Sequence, residues 1–260
     1  MNRKTQNIIF WLISIPLIIV LLGMVSQQEK ERRIQDFRVD IEYQGGDYLF
    51  TSEDIESQVL TKFDSLKGKP LPQVKESAIE MEIEKNPYVL NAEVYTTIDG
   101  FCHADVWQRK AILQLIDDKG KCVYVDENGM LMPDGETLPA RVPVANGNFS
   151  LDTINPEIED LTIDDLNNTS FEQFYTIAKV IQNDEFLKAI VEQIYNNKNG
   201  EYAIVTKLGQ HSVLIGSISQ LGKKLEKLKI FYKNANARGG WDKYDQLNLK
   251  YENQVIGNKK

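Results

Sequence analysis

Residues 86–109 read NPYVLNAEVYTTIDGFCHADVWQR, and their punctuation decides the architecture of the first half of the chain. Asn86-Pro87 must end any helix before it, because a residue preceding proline is driven out of helical geometry. Val89–Thr96 and Phe101–Gln108 then read as two strands joined across Ile98-Asp99-Gly100. The helix that Asn86-Pro87 stops reaches back to about Gln73, with Val74, Ala78 and Met81, joined by Ile79 and Ile83, predicted inward.

Working outward, Thr51-Ser52-Glu53-Asp54 offers a helix cap with acidic residues in the first turn. Ile55, Val59, Leu60 and Phe63 follow at helical spacing up to Gly68-Lys69-Pro70. Before that helix, Phe37–Tyr43 alternates apolar and polar residues as a half-buried strand does, and Gly45-Gly46 ends it. The order strand, helix, helix, strand, strand predicts an α+β unit over residues 36–108, two helices covering one sheet face.

From Arg109 the texture changes to short strands and turns. Ala111–Ile116 and Cys122–Val125 flank Asp117-Asp118-Lys119-Gly120, a hairpin signal. Glu127-Asn128-Gly129, Pro133-Asp134-Gly135 and Asn146-Gly147 mark further turns. Ser170-x-x-Gln173 reads as a capping box opening a helix that carries Phe174, Ile177, Ala178 and Ile181. Three strands (Ile190–Tyr195, Tyr202–Leu208, Ser212–Ile215) precede a second amphipathic helix, Leu221–Ala235. A last strand, Tyr244–Val255, alternates at Leu247, Leu249 and Tyr251. This predicts a mixed, β-rich domain over 109–257 with two or more helices, and a tail over 258–260.

Ahead of both units lies Ile8–Val25, IIFWLISIPLIIVLLGMV, which carries no charge. At helical rise it spans about 27 Å, enough for a bilayer's hydrocarbon core. A transmembrane helix over 8–26 is expected, with a tail at 1–7 and a charged linker at 27–35. The alternative, a cleaved signal, fits worse: the run exceeds a normal h-region and no small-x-small site follows it. Arg3 and Lys4 before the run, against Lys30, Arg32 and Arg33 after it, leave its orientation open.

The 260 residues carry a net charge of −8. The acidity lies beyond the linker, which argues against nucleic acid or anionic lipid as the main partner. Chemistry is sparse. The two histidines, His103 and His211, stand at no metal-ligand spacing, and no serine sits in a G-x-S-x-G elbow. Gly216–Lys224, GSISQLGKK, has one residue too many between its glycines for a phosphate loop and lacks the Ser/Thr after lysine. No catalytic residue, cofactor or metal is therefore expected. Cys102 and Cys122 could form one bridge in an oxidising compartment; two unpaired buried thiols are the equal alternative.

In motif order the chain resembles the bacterial division protein family FtsQ, called DivIB in Gram-positives. The first unit resembles the family's POTRA domain, of order β-α-α-β-β. The matching residues are Val39–Gly46, Ser52-Glu53-Asp54-Ile55, and Asn86-Pro87-Tyr88-Val89-Leu90-Asn91-Ala92-Glu93-Val94 against N-P-x-V-x-x-A-x-V. Val106-Trp107-Gln108-Arg109 falls at the junction, and Tyr124-Val125-Asp126-Glu127-Asn128-Gly129 matches Y-[VI]-D-x-x-G. Lys110 replaces the family's proline, and Leu247-Asn248-Leu249-Lys250-Tyr251 departs from its hydrophobic-D-L-R-Y strand. The Gln108-Arg109 junction and short tail resemble versions from Bacteroidetes.

The resemblance implies a single-pass inner-membrane protein, N-terminus cytoplasmic and bulk periplasmic, enriched at the division septum and without catalysis of its own. It would bind FtsB/DivIC-like and FtsL-like proteins and through them reach the septal synthase FtsW–FtsI. Leu247, Leu249, Tyr251 and Gln254, on a last strand that takes a partner strand, are the implied docking residues. The competing reading is a POTRA-containing chaperone or a secretion or outer-membrane assembly component. Such proteins repeat the POTRA unit ahead of a membrane barrel, and no series of lipid-facing strands appears here.

Overall fold

The computed structural model describes residues 15, 16, 18, 32–43, 48–134, 140–152, 154, 161–166, 168–209, 211–238, 240–252 and 254–260. The apolar run Ile8–Val25, apart from Ile15, Pro16 and Ile18, and the Gly45-Gly46 turn lie outside them. Among the described residues, no helix is long and apolar enough to cross a membrane. The chain divides into two units, Met1–Glu42 with Phe50–Gln108, and Tyr43–Leu49 with Arg109–Lys260.

The first unit holds strand β1 (Asp36–Glu42), helices α1 (Ser52–Phe63) and α2 (Glu76–Ile83), and strands β2 (Val89–Thr96) and β3 (Phe101–Gln108). β3 is central, parallel to β1 and antiparallel to β2. Thr51 caps α1 in a reciprocal capping box with Asp54, satisfying helix-end donors that have no intrahelical partner. Ile55, Val59, Ile79 and Ile83 are buried, as are Val39, Ala92, Val94, Cys102, Ala104 and Val106 from the strands. The inward stripe predicted for α2 is out of phase at Met81, which is 61% exposed. Ile79 and Ile83 lie four residues apart on one face, and Met81, two residues from each, points away from it.

One feature of α2 has no counterpart in the apolar pattern. Glu76, Glu80 and Glu84 accept the backbone N–H groups of Thr96, Val94 and Ala92 at 2.7, 2.9 and 3.4 Å. Four residues of helix advance about 6.0 Å and two residues of strand about 6.7 Å, so the two repeats nearly match. The glutamates stand in for a missing strand and seal the free edge of β2.

The second unit contains strands β4 (Ala111–Ile116), β5 (Cys122–Asp126), β6 (Leu131–Pro133), β7 (Val144–Gly147), β8 (Val191–Asn196), β9 (Tyr202–Thr206), β10 (Ser212–Gly216), β11 (Tyr244–Asn248) and β12 (Ile256–Lys259). Its helices are α3 (Thr169–Gln182), α4 (Glu185–Ile190) and α5 (Leu221–Arg238). The sheet runs β12-β11-β10-β9-β8-β7-β4-β5-β6, β7 being parallel to both its neighbours. Phe171, Phe174, Ile177, Ala178 and Ile181 of α3, and Leu221, Leu225, Leu228 and Tyr232 of α5, join the strands in one core.

Three details differ from the sequence reading. Helix α3 is capped by Asn168, whose side chain accepts from Ser170 N, so Ser170 lies inside the helix. Helix α4 was not predicted; Asp184 caps it by accepting from Phe186 N and Leu187 N. The last strand is broken: β11 ends at Asn248, and the chain turns back to form β12. Asn248 Oδ1 accepts from Lys250 N at 3.0 Å, a side-chain turn that ends the extended run.

Four hairpin turns share one construction. Thr97, Asp117, Asp126 and Asn197 each accept from the residue three ahead, Gly100, Gly120, Gly129 and Gly200. Those glycines have φ of 92°, 81°, 86° and 75°, the left-handed region that the closing position of such a loop requires.

Candidate protein-docking site

Sheet edges are where a protein of this kind can take up another chain, since an edge strand leaves main-chain donors and acceptors unpaired. At one end of the large sheet, β6 is buried throughout. Leu131 N donates to Leu161 O at 2.8 Å, Ile163 N to Gly129 O at 2.8 Å, and Met130 bridges Thr162. Segment 161–163 therefore occupies that edge.

The other end is different. β11 lies between β10, parallel with Val213 beside Leu247, and β12, antiparallel with Leu247 beside Gly257. The ladder to β10 extends one residue further through Leu249 N to Leu214 O, 2.9 Å. Among the described residues no strand lies beyond β12, and Ile256, Asn258 and Lys259 are exposed. Lys260 N donates to Lys243 O at 3.1 Å. Successive N–H groups of a strand alternate sides, so that of Lys259 points to the open side.

The predicted docking residues separate on this frame. Leu247 and Leu249 are fully buried in the core. Leu247 lies in β11 and Leu249 just past its end, and the alternation expected for a single strand over Tyr244–Val255 faces the protein rather than a partner. Tyr251 is 50% exposed and Gln254 is exposed, both in the turn that leads into β12. Lys227 Nζ holds this turn by donating to the carbonyls of Leu249 (3.1 Å) and Tyr251. What sequence reasoning missed is that β12 covers β11. The signal available was Asn248 followed by a polar stretch, a turn composition inside the supposed strand.

Tyr244 and Gly257 fix β12 in place. A Cβ on Gly257 would lie 2.4 Å from Tyr244 Cδ1, so the aromatic ring rests on the glycine backbone. The same ring meets Phe231 of α5 edge-on, centroids 5.8 Å apart. Lys259 and Lys260 end the strand with charge, which discourages indiscriminate edge pairing.

The remaining candidates take structural roles. Cys102 and Cys122 are free thiols, Cys102 buried and Cys122 half-buried. Burial, then the charge of Glu76, pushes the Cys102 thiol up to about 11. Burial, then a hydrogen bond with Asp134, pushes Cys122 up to about 12, so both are poor nucleophiles. His211 is buried, its Nε2 2.8 Å from the Tyr232 hydroxyl, which is also 2.8 Å from Thr206 Oγ1. Gly216–Lys224 is a strand-to-helix turn between β10 and α5, with φ of 73° at Gly216 and 55° at Gln220. Among the described residues, no three His, Cys, Asp or Glu side chains are grouped to hold a metal.

The junction motif has a physical content as well. Asp126 is fully buried, pairs with Arg109 Nη1 at 3.0 Å, and accepts Asn128 N and Met130 N at 2.8 Å each. Tyr175 Oη donates to Glu127 O at 2.8 Å. One carboxylate thus shapes the turn after β5 and neutralises the arginine that enters β4.

Comparison with known families gives two matches. A family model described as FtsQ/DivIB, C-terminal related, matches residues 110–258, more than half of the chain. A model described as a POTRA-like domain matches residues 33–107. No curated protein matches the chain.

Proposed function

Because the chain belongs to the FtsQ/DivIB C-terminal-related family, with a POTRA-like domain ahead of the matched region, we propose that it is a non-catalytic scaffold of the bacterial divisome. Ile8–Val25 anchors it once in the inner membrane, residues 1–7 in the cytoplasm and the bulk in the periplasm at the septum. The POTRA unit spans 36–108 and the β domain 109–257. An FtsB/DivIC-like partner adds a strand along β12, an FtsL-like protein accompanies it, and the assembly reaches FtsW–FtsI.

The observation that carries this reading is the contrast between edges. At the two ends of the large sheet, β6 is lined by segment 161–163 whereas β12 is exposed with an outward Lys259 N–H. In the three-stranded sheet β2 is sealed by α2, and β1 is the other edge. Main-chain pairing there would give affinity, and Tyr251 and Gln254 beside the strand would give specificity. Leu247 and Leu249 act beneath it, holding β11 in the core. The second reading, a POTRA chaperone or assembly component, loses ground because residues 110–258 match the FtsQ/DivIB-related model rather than further POTRA units.

The test removes one outward donor of β12. Lys259→Pro deletes that N–H while leaving the bond from Lys260 to Lys243 available, and proline is tolerated on an edge. Recovery of the FtsB/DivIC-like protein with the full chain from native membranes is expected to fail for Lys259→Pro and persist for Lys259→Ala. Undiminished recovery with the proline variant overturns the site. Recovery of outer-membrane assembly proteins instead supports the second reading.

A further inference from the structure

The sheet of the first unit has two faces, and the described helices of that unit cover one of them. On the other, the register lines up four rows across the strands. Asp36 stands beside Phe101. Arg38, His103 and Tyr95 form the next row, then Asp40, Asp105 and Glu93, and last Glu42, Trp107 and Asn91. Every member of these rows is exposed or half-buried.

The third row is unusual in its chemistry. Three carboxylates sit directly opposite one another on adjacent strands about 4.8 Å apart, where like charges repel. Among the described residues no lysine or arginine pairs with any of them. Arg38, on the same face, sits over the Phe101 ring at 4.0 Å instead. Tyr95 is a hydrogen-bond partner of Asp105; burial, then the charges of Asp105 and Asp40, push its phenol up.

The row is also framed by π surfaces on both sides. Tyr95 and His103 stack at 5.3 Å with their planes 9° apart, and Phe101 follows at 6.2 Å from His103. Trp107 lies on the opposite side of the carboxylates, two residues on from Asp105. Carboxylates bracketed by aromatic faces match a guanidinium, which is planar, donates in a fork and stacks on rings. A metal ion would need a convergent ligand set, which these side-by-side strands do not supply.

The geometry points to this face as a docking surface for an arginine-bearing segment of a protein partner, laid across the sheet with its guanidinium groups on the Asp40-Asp105-Glu93 row. Charge complementarity carries the assignment, and an anionic membrane surface is repelled by the same row. The surface belongs to the first unit and the C-terminal edge to the second, so a failure of either leaves the other standing.

The probe is a rhodamine-labelled eight-residue peptide alternating arginine and serine, titrated by fluorescence anisotropy onto the full chain in a neutral detergent. Binding is expected to weaken by about tenfold in Asp105→Asn/Glu93→Gln. It should change by less than about twofold in Asp118→Asn/Glu192→Gln, which removes the same charge from exposed carboxylates of the second unit. Asp40→Asn serves if the first double variant does not fold. Replacing arginine by lysine in the peptide should weaken binding, since the stacking is lost. Equal losses in the two double variants, or no saturable binding by the native chain, overturn the assignment.

Discussion

Glu80 Oε1 accepts the backbone N–H of Val94 at 2.9 Å, the middle of the three bonds by which α2 closes the edge of β2. The arrangement closes one of the two edges of this sheet, that of β2; β1 forms the other. Glu80→Ala removes the acceptor and leaves a main-chain donor without a partner, which costs about 1–3 kcal/mol. Glu80→Gln keeps an acceptor oxygen and should recover most of the loss. Urea unfolding of the two variants, with amide exchange at Val94, checks this. Equal stability of Glu80→Ala and the native chain would rule out the sealing role.

Tyr244 and Gly257 make the complementary case at the open edge. The glycine supplies space rather than backbone freedom, because the ring lies where a side chain would begin. Gly257→Val should displace Tyr244 from Phe231 and detach β12 while leaving the buried core intact. The expected signature is faster exchange at the Lys260 amide, a melting temperature within a few degrees of native, and loss of partner recovery. Retained partner recovery alongside fast exchange at Lys260 would separate β12 from docking.

Much of this was legible from local signals. The strand-helix-helix-strand-strand order follows from Thr51, Asn86-Pro87 and the alternation around Val89–Gln108, all of which act within a few residues. The hairpins at Asp117, Asp126 and Asn197 follow from an Asp or Asn, its side chain accepting a main-chain N–H two residues on, placed three residues before a glycine. The role of the sheet's end was not legible. Leu247 and Leu249 alternate as either an edge or an interior strand would, and only the pairing of β11 with β12 decides between them. The Glu76, Glu80 and Glu84 repeat gave no local signal of its role, because its partners lie on another element. The carboxylate row was invisible for the same reason: Asp40, Glu93 and Asp105 become neighbours only through the register.

Burial of Leu249 turns the sequence expectation into a stability prediction. Leu249→Ala should destabilise the second unit by about 2–5 kcal/mol, the range for emptying a packed leucine site. Tyr251→Ser, at a half-exposed position in the following turn, should change stability by less than about 0.5 kcal/mol. Partner recovery should nevertheless fall in the tyrosine variant. A Leu249→Ala chain as stable as the native one would contradict the burial of Leu249 in the core.

Asp117 links the fold to pH. Burial alone would raise its carboxyl, but the backbone N–H groups of Leu151, Lys121 and Lys119 (3.0, 2.9 and 3.0 Å) outweigh it and hold the group below the usual carboxylate value. A carboxylate whose folded pKa lies below its unfolded one adds stability in full above about pH 4. That contribution is lost as the pH falls through the lowered folded value, since the unfolded chain takes up the proton first. Asp117→Asn keeps an acceptor oxygen but no charge, so the variant should be less stable than the native chain at pH 7. The gap should close as the pH drops below about 4. Unfolding measured across this range tests the sign, and a gap that widened on acidification would show that the carboxylate is not stabilised by these three donors.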